Sequence, residues 1–202
     1  LLLLPGATLF GQSAGDKEKA HSKMVQAIEL MEDGQIDQAL QLLQEARKLD
    51  PKNINYPYET AYALFLKKDF QGAIKTAEPL TKHKDVSDIV YQLLGNAYSM
   101  NGQREKAIAT YEKGLKTFPK SGRLHLERGN MEGFVGDYEK ALSFFEKGIA
   151  ADPTFPSNYF WAAKIYCNST EEVWGMIYGE IFMNLERNSR RTAEISKLLF
   201  DT

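Results

Sequence analysis

The side chains most often used in catalysis and metal binding are sparse and scattered in this sequence. The histidines His21, His83 and His125 stand singly, and none lies in a His-x-x-x-His pair or next to the single cysteine, Cys167. Zinc sites and nucleophile–base pairs need such groups at characteristic spacings, so neither is indicated. One cysteine also excludes an intrachain disulfide. We therefore expect no enzymatic activity, no catalytic residue, no cofactor and no metal.

The charged residues indicate solvated surface rather than a binding site for nucleic acid. The 202 residues include 25 Lys and Arg against 27 Asp and Glu, which gives a formal net charge of −2. No basic excess is present to neutralise phosphates. Most carboxylates lie among lysines, as in "DKEK" and "YEKG", and such runs are usually exposed helix faces with weak ion pairs.

The first fifteen residues, "LLLLPGATLFGQSAG", differ from the rest of the chain. They are too short to cross a bilayer as a helix, and we expect no stable membrane span. They are similar to the apolar core and cleavage zone of a secretory signal peptide, without its basic start. This predicts a bacterial protein exported to the cell envelope or periplasm, or secreted. The alternative is a short apolar helix packed on the first repeat of a cytoplasmic protein.

The sequence segments that would position any functional side chain recur along the chain with a fixed period. Ala39, Ala73, Ala107 and Ala141 are each 34 residues apart, and the phrases "GQREKAIATYEKGLKTFP" and "GDYEKALSFFEKGIAADP" match at equal offsets. Each unit contains two amphipathic stretches, and in three of the four units a turn with glycine joins them and a proline follows the second. A period of this length is typical of a solenoid of helix pairs.

These residues resemble the tetratricopeptide repeat (TPR) family. The resemblance implies an all-α fold, a right-handed TPR solenoid (α–α superhelix) of stacked antiparallel helix pairs with terminal capping helices. Residues 16–155 are predicted to hold four repeats, at about 20–53, 54–87, 88–121 and 122–155. Residues 1–15 are predicted to be a signal remnant or an extra segment.

The second repeat departs from the pattern at two places. It has Lys68 where the other three repeats have a turn glycine, and Pro79 lies inside its second helix. Because proline removes a backbone hydrogen bond, we expect that helix to be kinked or shortened.

Residues 156–202 are predicted to form a degenerate fifth repeat and a C-terminal capping helix that continues into a downstream region. Thr170 is the candidate N-cap of the second helix of this repeat. Apolar residues from Val173 to Leu185 cover most of the circumference of that helix, which predicts burial by more than one neighbour.

The TPR resemblance also implies a concave groove, lined by the first helix of each pair, that holds a peptide or a segment of a partner. The positions that match the family's groove, called the groove residues below, are Tyr58, Glu59, Tyr62, Gln92, Asn96, Arg123, Glu127, Asn130, Trp161 and Lys164. For Tyr58, Tyr62 and Trp161, packing between helices is an equally good interpretation. Arg123 and Glu127 are four residues apart and could pair with each other alone.

The sequence thus predicts a non-enzymatic scaffold for protein–protein interaction. Arg123 and Lys164 favour a partner segment with an acidic group. The alternative is a structural or self-association module that positions a C-terminal domain, with homo-oligomers formed through the C-terminal helices.

Overall fold

The computed structural model describes residues 14–201, and these form eleven α-helices and one short 3₁₀ helix without a strand. The predicted all-α fold is therefore confirmed. The predicted signal-like segment lies outside the described residues, except that Ala14 and Gly15 begin the first helix. The chain divides into two compact units. The first ends at Val86 and the second begins at Ser87.

The first unit consists of two helix pairs. α1 packs on α2, α3 packs on α4, and α2 contacts α3. Its core is formed by residues from three helices, among them Ala27, Leu43 and Ala63, all fully buried. The helices are α1 (Ala14–Glu32), α2 (Ile36–Leu49), α3 (Asn55–Leu66) and α4 (Phe70–Ala77), followed by the 3₁₀ helix Glu78–Lys82.

The second unit consists of three helix pairs and a last helix. α5 pairs with α6, α7 with α8, and α9 with α10, while α11 packs on both α9 and α10. Its core includes Phe145, Phe160, Phe182 and Ile195. The helices are α5 (Asp88–Met100), α6 (Arg104–Thr117), α7 (Gly122–Gly133), α8 (Tyr138–Ala151), α9 (Pro156–Tyr166), α10 (Glu172–Leu185) and α11 (Arg190–Asp201).

The turn within each of the first four pairs has one left-handed residue. Gly34, Gly102 and Gly136 have φ values of 77°, 76° and 82°, and Lys68 occupies the same position with a φ of 65°. After each of them a backbone N–H reaches back to the carbonyl five residues earlier, as from Gln103 N to Tyr98 O at 2.9 Å. This bond closes the end of the preceding helix. A side chain at φ > 0 is strained, so the second repeat reaches the common turn at a cost.

The prediction of a shortened second helix at Pro79 is confirmed. α4 has 8 residues, whereas α2, α6, α8 and α10 have 14 each. Beyond Ala77 the chain continues as the 3₁₀ helix, with Pro79 in its first turn. Proline is tolerated there because the first N–H groups of a helix have no partner within it.

One expectation about α10 is wrong. The residue before the helix is Glu171 rather than Thr170, and its side chain forms no capping bond. α10 does pack on more than one neighbour, since it contacts both α9 and α11, but an apolar face that includes Val173, Trp174 and Ile177 remains exposed. The buried residues of α10 are Gly175, Gly179 and Phe182, and the two glycines allow the adjoining helices to approach closely.

Candidate functional site

In the first unit three groove residues lie together. Tyr58, Glu59 and Tyr62 are on α3 and line a cavity of about 420 Å³ with apolar residues of α1, including Ile28 and Met31. Tyr62 is four residues from Tyr58 and three from Glu59, so it lies next to both on the helix surface. Tyr62 is 39% exposed, whereas Tyr58 and Glu59 are half-buried. Burial raises the pKa of the Glu59 carboxyl above its usual value, since desolvation disfavours the charged form.

In the second unit a polar chain links α5 and α7. Gln92 Nε2 donates to Glu127 Oε1 at 2.7 Å, and Arg123 donates to Gln92 Oε1 at 3.2 Å. The Nε of Arg123 also lies 3.2 Å from the Asp88 carboxylate. Arg123 and Glu127 therefore bond to the neighbouring helix, and no ion pair joins them within residues 14–201. The sequence could not show this, because the partners are more than 30 residues away.

Asn96 is positioned by a buried aromatic residue. The hydroxyl of Tyr111 donates to Asn96 Oδ1 at 2.5 Å, and the side chain of Asn96 is half-buried. Burial raises the pKa of the Tyr111 hydroxyl, and the nearby Glu127 carboxylate acts in the same direction. Tyr111 therefore stays protonated and donates to the amide oxygen of Asn96. This bond fixes the orientation of the Asn96 amide and does not use its N–H₂ group.

One cavity of the second unit, called the Trp161 cavity below, has a volume of about 780 Å³. Three groove residues, Asn130, Trp161 and Lys164, line it. The rest of its lining is mainly apolar or small, and consists of Gly133, Phe134, Tyr138, Ala141, Phe145, Ile165, Asn168 and Ser169. A mainly apolar cavity of this size with a few polar groups is typical of a ligand site.

Lys164 is the cation of the Trp161 cavity, and it is already engaged. Its Nζ lies 2.6 Å from Glu194 Oε1 on α11, 5.0 Å from the centre of the Trp161 ring and 5.2 Å from that of Phe160. Arg123 is likewise neutralised by Asp88. The two cations predicted to favour an acidic partner segment therefore have carboxylate partners within the chain.

Phe134 and Tyr138 were missed as candidate site residues by sequence reasoning. They flank the turn glycine Gly136 and are 87% and 60% exposed, although both are aromatic. A signal was present, because a solvated turn rarely carries "FVGDY". Together with Trp161, which is 37% exposed, they give the Trp161 cavity an aromatic rim.

An ion cluster forms around two buried charged residues of the second unit. Arg128 and Glu132 on α7 are 3% and 5% exposed and lie 3.0 Å apart, and Lys140 of α8 reaches the same carboxylate oxygen at 3.2 Å. Burial opposes ionisation of Glu132, but the bonds from Lys140 and Arg128 outweigh it and lower its pKa. Arg128 also lies over the ring of Phe144 at 4.5 Å. This arrangement ties α7 to α8.

Two other kinds of site were sought within the described part of the chain. Residues 14–201 contain no group of three or more His, Cys, Asp or Glu side chains placed to hold a metal ion. None of their helices combines the length and the apolar character needed to cross a membrane.

Comparison with solved structures finds many helical-repeat proteins of low sequence identity. A thermophilic TPR protein of Thermus thermophilus is 18% identical, with a TM-score of 0.71, over 90% of this chain and 99% of its own. Yeast Tom70 is 14% identical, with a TM-score of 0.79, over 92% of this chain and 40% of its own. YrrB, a TPR protein with an unusual peptide-binding site, is 16% identical, with a TM-score of 0.54, over 91% and 94%. At these identities the likeness is one of fold.

Comparison with families gives the assignment. No curated protein matches the chain significantly in sequence. Three profiles of the tetratricopeptide repeat match it, at residues 30–94, 88–131 and 122–155. These matches join without a gap from residue 30 to residue 155, and they agree with the 34-residue period and the helix pairs. The chain belongs to the tetratricopeptide repeat family.

Proposed function

We propose that this TPR protein is a non-enzymatic scaffold that binds a peptide segment of a partner protein in the Trp161 cavity. The observation that carries the proposal is the pairing of an aromatic rim with a few polar groups. Phe134, Tyr138 and Trp161 supply rigid apolar area, which is the usual source of binding free energy at small interfaces. Asn130 and Lys164 supply hydrogen bonds that orient a chain.

The partner segment is proposed to carry an apolar anchor and an acidic group. The anchor fills the space between Phe145 and Ile165, and the acidic group takes the place of Glu194 at Lys164. Replacing the Lys164–Glu194 pair by a pair between Lys164 and the ligand costs little, because an exposed ion pair contributes only about 0–1 kcal/mol to stability. The likeness to YrrB supports a peptide as ligand, since that protein is described as having a peptide-binding site.

The cavity of the first unit is proposed as a further contact for the same kind of ligand. Tyr58 and Tyr62 offer hydroxyls and ring faces, and the half-buried Glu59 has a raised pKa that favours its neutral form. A neutral carboxyl can donate a hydrogen bond to a peptide carbonyl. Gln92, Asn96 and Arg123 are assigned a supporting role, because their partners within the chain already hold them in place.

The test uses the two tryptophans of the chain. In the variant Trp174→Phe only Trp161 remains as a tryptophan, so its emission reports on the cavity. A displayed library of random dodecapeptides is panned on this variant, and enriched peptides are titrated against it. We expect peptides with an aromatic or aliphatic residue and a nearby acid to be enriched, to shift the Trp161 emission, and to lose at least tenfold in affinity with Lys164→Ala or Phe134→Ala. Peptides that bind equally well to those variants, or no enrichment, would contradict the proposal.

We further propose two properties that the described residues do not decide. The first is export, which rests on the composition of residues 1–15 and is tested by fractionation of the native organism. The second is self-association through the C-terminal helices, which could also position a further domain. The exposed apolar face of α10 favours self-association.

A further inference from the structure

α10 carries an apolar face that is not used by the fold. The face consists of residues that recur three or four positions apart and are each 37–67% exposed, and it is called the outer face of α10 below: Val173, Trp174, Ile177, Ile181 and Leu185. It lies opposite the side with Gly175 and Gly179 that meets α9 and α11. A contiguous apolar stripe on a helix exposed to water marks an interaction surface.

The equivalent face of the second helix in two other repeats consists of polar or small residues. Thirty-four residues earlier, the positions of Val173, Trp174, Ile177 and Ile181 hold Glu139, Lys140, Ser143 and Lys147. A further period earlier they hold Glu105, Lys106, Ala109 and Lys113. The second helices of the third and fourth repeats thus present polar or small residues where α10 presents four large apolar ones. Helix packing within the repeat does not require the change, because these side chains face away from α9.

α10 is held firmly enough to present a defined surface. Tyr166 and Tyr178 both donate to Glu146 Oε1 of α8, at 2.8 and 3.3 Å. On its other side the methyl groups of Leu199 and Ile195 of α11 pack against Gly179. The outer face of α10 therefore has a fixed direction.

We propose that the outer face of α10 pairs with the same face of a second copy of this chain, in an antiparallel two-fold dimer. This rests on the self-association proposed above and specifies its surface and register, and it does not depend on peptide binding. A two-fold axis at the level of Gly179 places Val173 opposite Leu185 of the second copy, and Ile177 opposite Ile181 of the second copy. Both contacts join large aliphatic side chains, and two-fold symmetry repeats each of them.

Charge complementarity favours this occupant and this register. The same axis places Glu171, before the helix begins, opposite Arg187 of the second copy, after the helix ends. Both residues are exposed or half-exposed, and neither forms an ion pair within the described residues. Two equivalent Glu171–Arg187 pairs would then close the two ends of the interface. The same axis places Glu172 opposite Glu186 of the second copy, but the charge of Glu186 is already paired with that of Arg191. A parallel pairing would instead place Glu171 opposite Glu171 and Arg187 opposite Arg187.

The charges beside the face disfavour a membrane as the occupant. Glu171, Glu172 and Glu180 are exposed on or next to α10, and the helix itself contains no Lys or Arg. Helices that lie on anionic bilayers carry lysine and arginine on their polar side. One helix pair is smaller than a standard interface of about 1,600 Å², so a weak dimer, with a dissociation constant of micromolar order, is expected.

The experiment measures the dimer dissociation constant of the full chain by sedimentation velocity over a range of concentrations. Ile177→Lys combined with Ile181→Lys should raise this constant at least tenfold without changing the circular-dichroism spectrum. The matched control is Val135→Lys, which changes an apolar residue of similar exposure (56%) outside α10 and should have no effect. Removal of residues 1–13 should also leave the dimer intact, which excludes that apolar segment as its cause.

Charge reversal tests the register. Glu171→Arg and Arg187→Glu should each weaken the dimer by about three- to tenfold, since each places two like charges together twice. The double variant should return the constant to within about twofold of the original. A chain that stays monomeric at all concentrations, a dimer unaffected by the Ile177 and Ile181 changes, or a double variant weaker than both single ones would overturn the proposal. Peptide binding in the Trp161 cavity is measured in a separate titration. A failure of the dimer proposal and a failure of the peptide-binding proposal can therefore be told apart.

Discussion

The ring of Tyr111 lies against the bare backbone of Gly95, so that a Cβ on Gly95 would overlap the ring. The relationship recurs one period later, where the ring of Phe145 lies against Gly129. In both pairs an aromatic residue of the second helix enters the space left by a glycine of the first helix. The close approach of the paired helices in the third and fourth repeats depends on these two glycines.

Gly95→Ala is therefore expected to destabilise the protein by about 1–3 kcal/mol, because the added methyl group must displace the Tyr111 ring in a packed core. The same holds for Gly129→Ala. The control is Gly133→Ala, where an added Cβ would lie at an ordinary 3.8 Å from the Cβ of Ala141. That change should be neutral or slightly stabilising, since alanine favours helix. Denaturant unfolding measures all three, and equal effects at Gly95 and Gly133 would refute the packing argument.

Lys68→Gly is expected to stabilise the protein by about 0.5–1 kcal/mol, since glycine adopts a positive φ without strain. Lys68 has a φ of 65° at a position where the other turns have glycine. The converse control is Gly102→Ala, where nothing lies within 4 Å of an added Cβ, so any loss comes from the backbone alone. It should destabilise by a similar amount. Thermal melts of the two variants should shift in opposite directions.

Glu132→Gln is expected to destabilise the protein by about 3 kcal/mol at neutral pH, because it removes the carboxylate that pairs with the buried Arg128. The pKa of Glu132 is lower in the folded chain than its usual value of 4.5. Its stabilising contribution is therefore complete above that value and is lost as the pH falls through the folded pKa. The difference in unfolding free energy between the variant and the parent should shrink below about pH 4.5. A difference that is constant from about pH 7 to about pH 3 would contradict this.

Glu59→Gln is expected to act in the opposite direction. Because burial raises the pKa of Glu59, the folded state favours its protonated form, and this contribution is present at low pH and is lost as the pH rises through the folded pKa. The neutral glutamine should therefore stabilise the protein at about pH 7, on the order of 0.5 kcal/mol, and show little effect at about pH 4. Unfolding free energies at the two pH values measure it, and a variant less stable at neutral pH would count against a buried, unpaired carboxyl.

The repeat architecture could be predicted from the sequence because it rests on local patterns. The 34-residue period, the glycine at φ > 0 in the turns and the break at Pro79 each depend on residues close together in the chain. The partners of Arg123 and Lys164 could not be predicted, since Asp88 and Glu194 belong to neighbouring elements far along the chain. The groove residues as a set remain a prediction.

α10 shows a second limit of sequence reasoning. Apolar residues around a helix indicate burial, but they do not distinguish a neighbour within the chain from another molecule. The sequence therefore predicted burial of α10 by more than one neighbour, whereas in the structure α10 packs on α9 and α11 and leaves Val173, Ile177 and Ile181 in water. The exposed Phe134 was missed for a related reason. In the turn around Gly136 the sequence pattern indicates the glycine that allows the turn to form, but not whether the aromatic residue beside it is buried.

The shortened α4 bears on how the chain opens. In an array of repeats each unit is stabilised mainly by its immediate neighbours, so a weak unit divides the array into segments that open separately. α4 has 8 residues and then passes into a 3₁₀ helix, whose hydrogen bonds have poorer geometry. Backbone amides from Phe70 to Lys82 should therefore exchange with deuterated solvent earlier than those of α6 or α8. In native-state exchange the array would behave as two cooperative segments, joined at the repeat that contains Pro79.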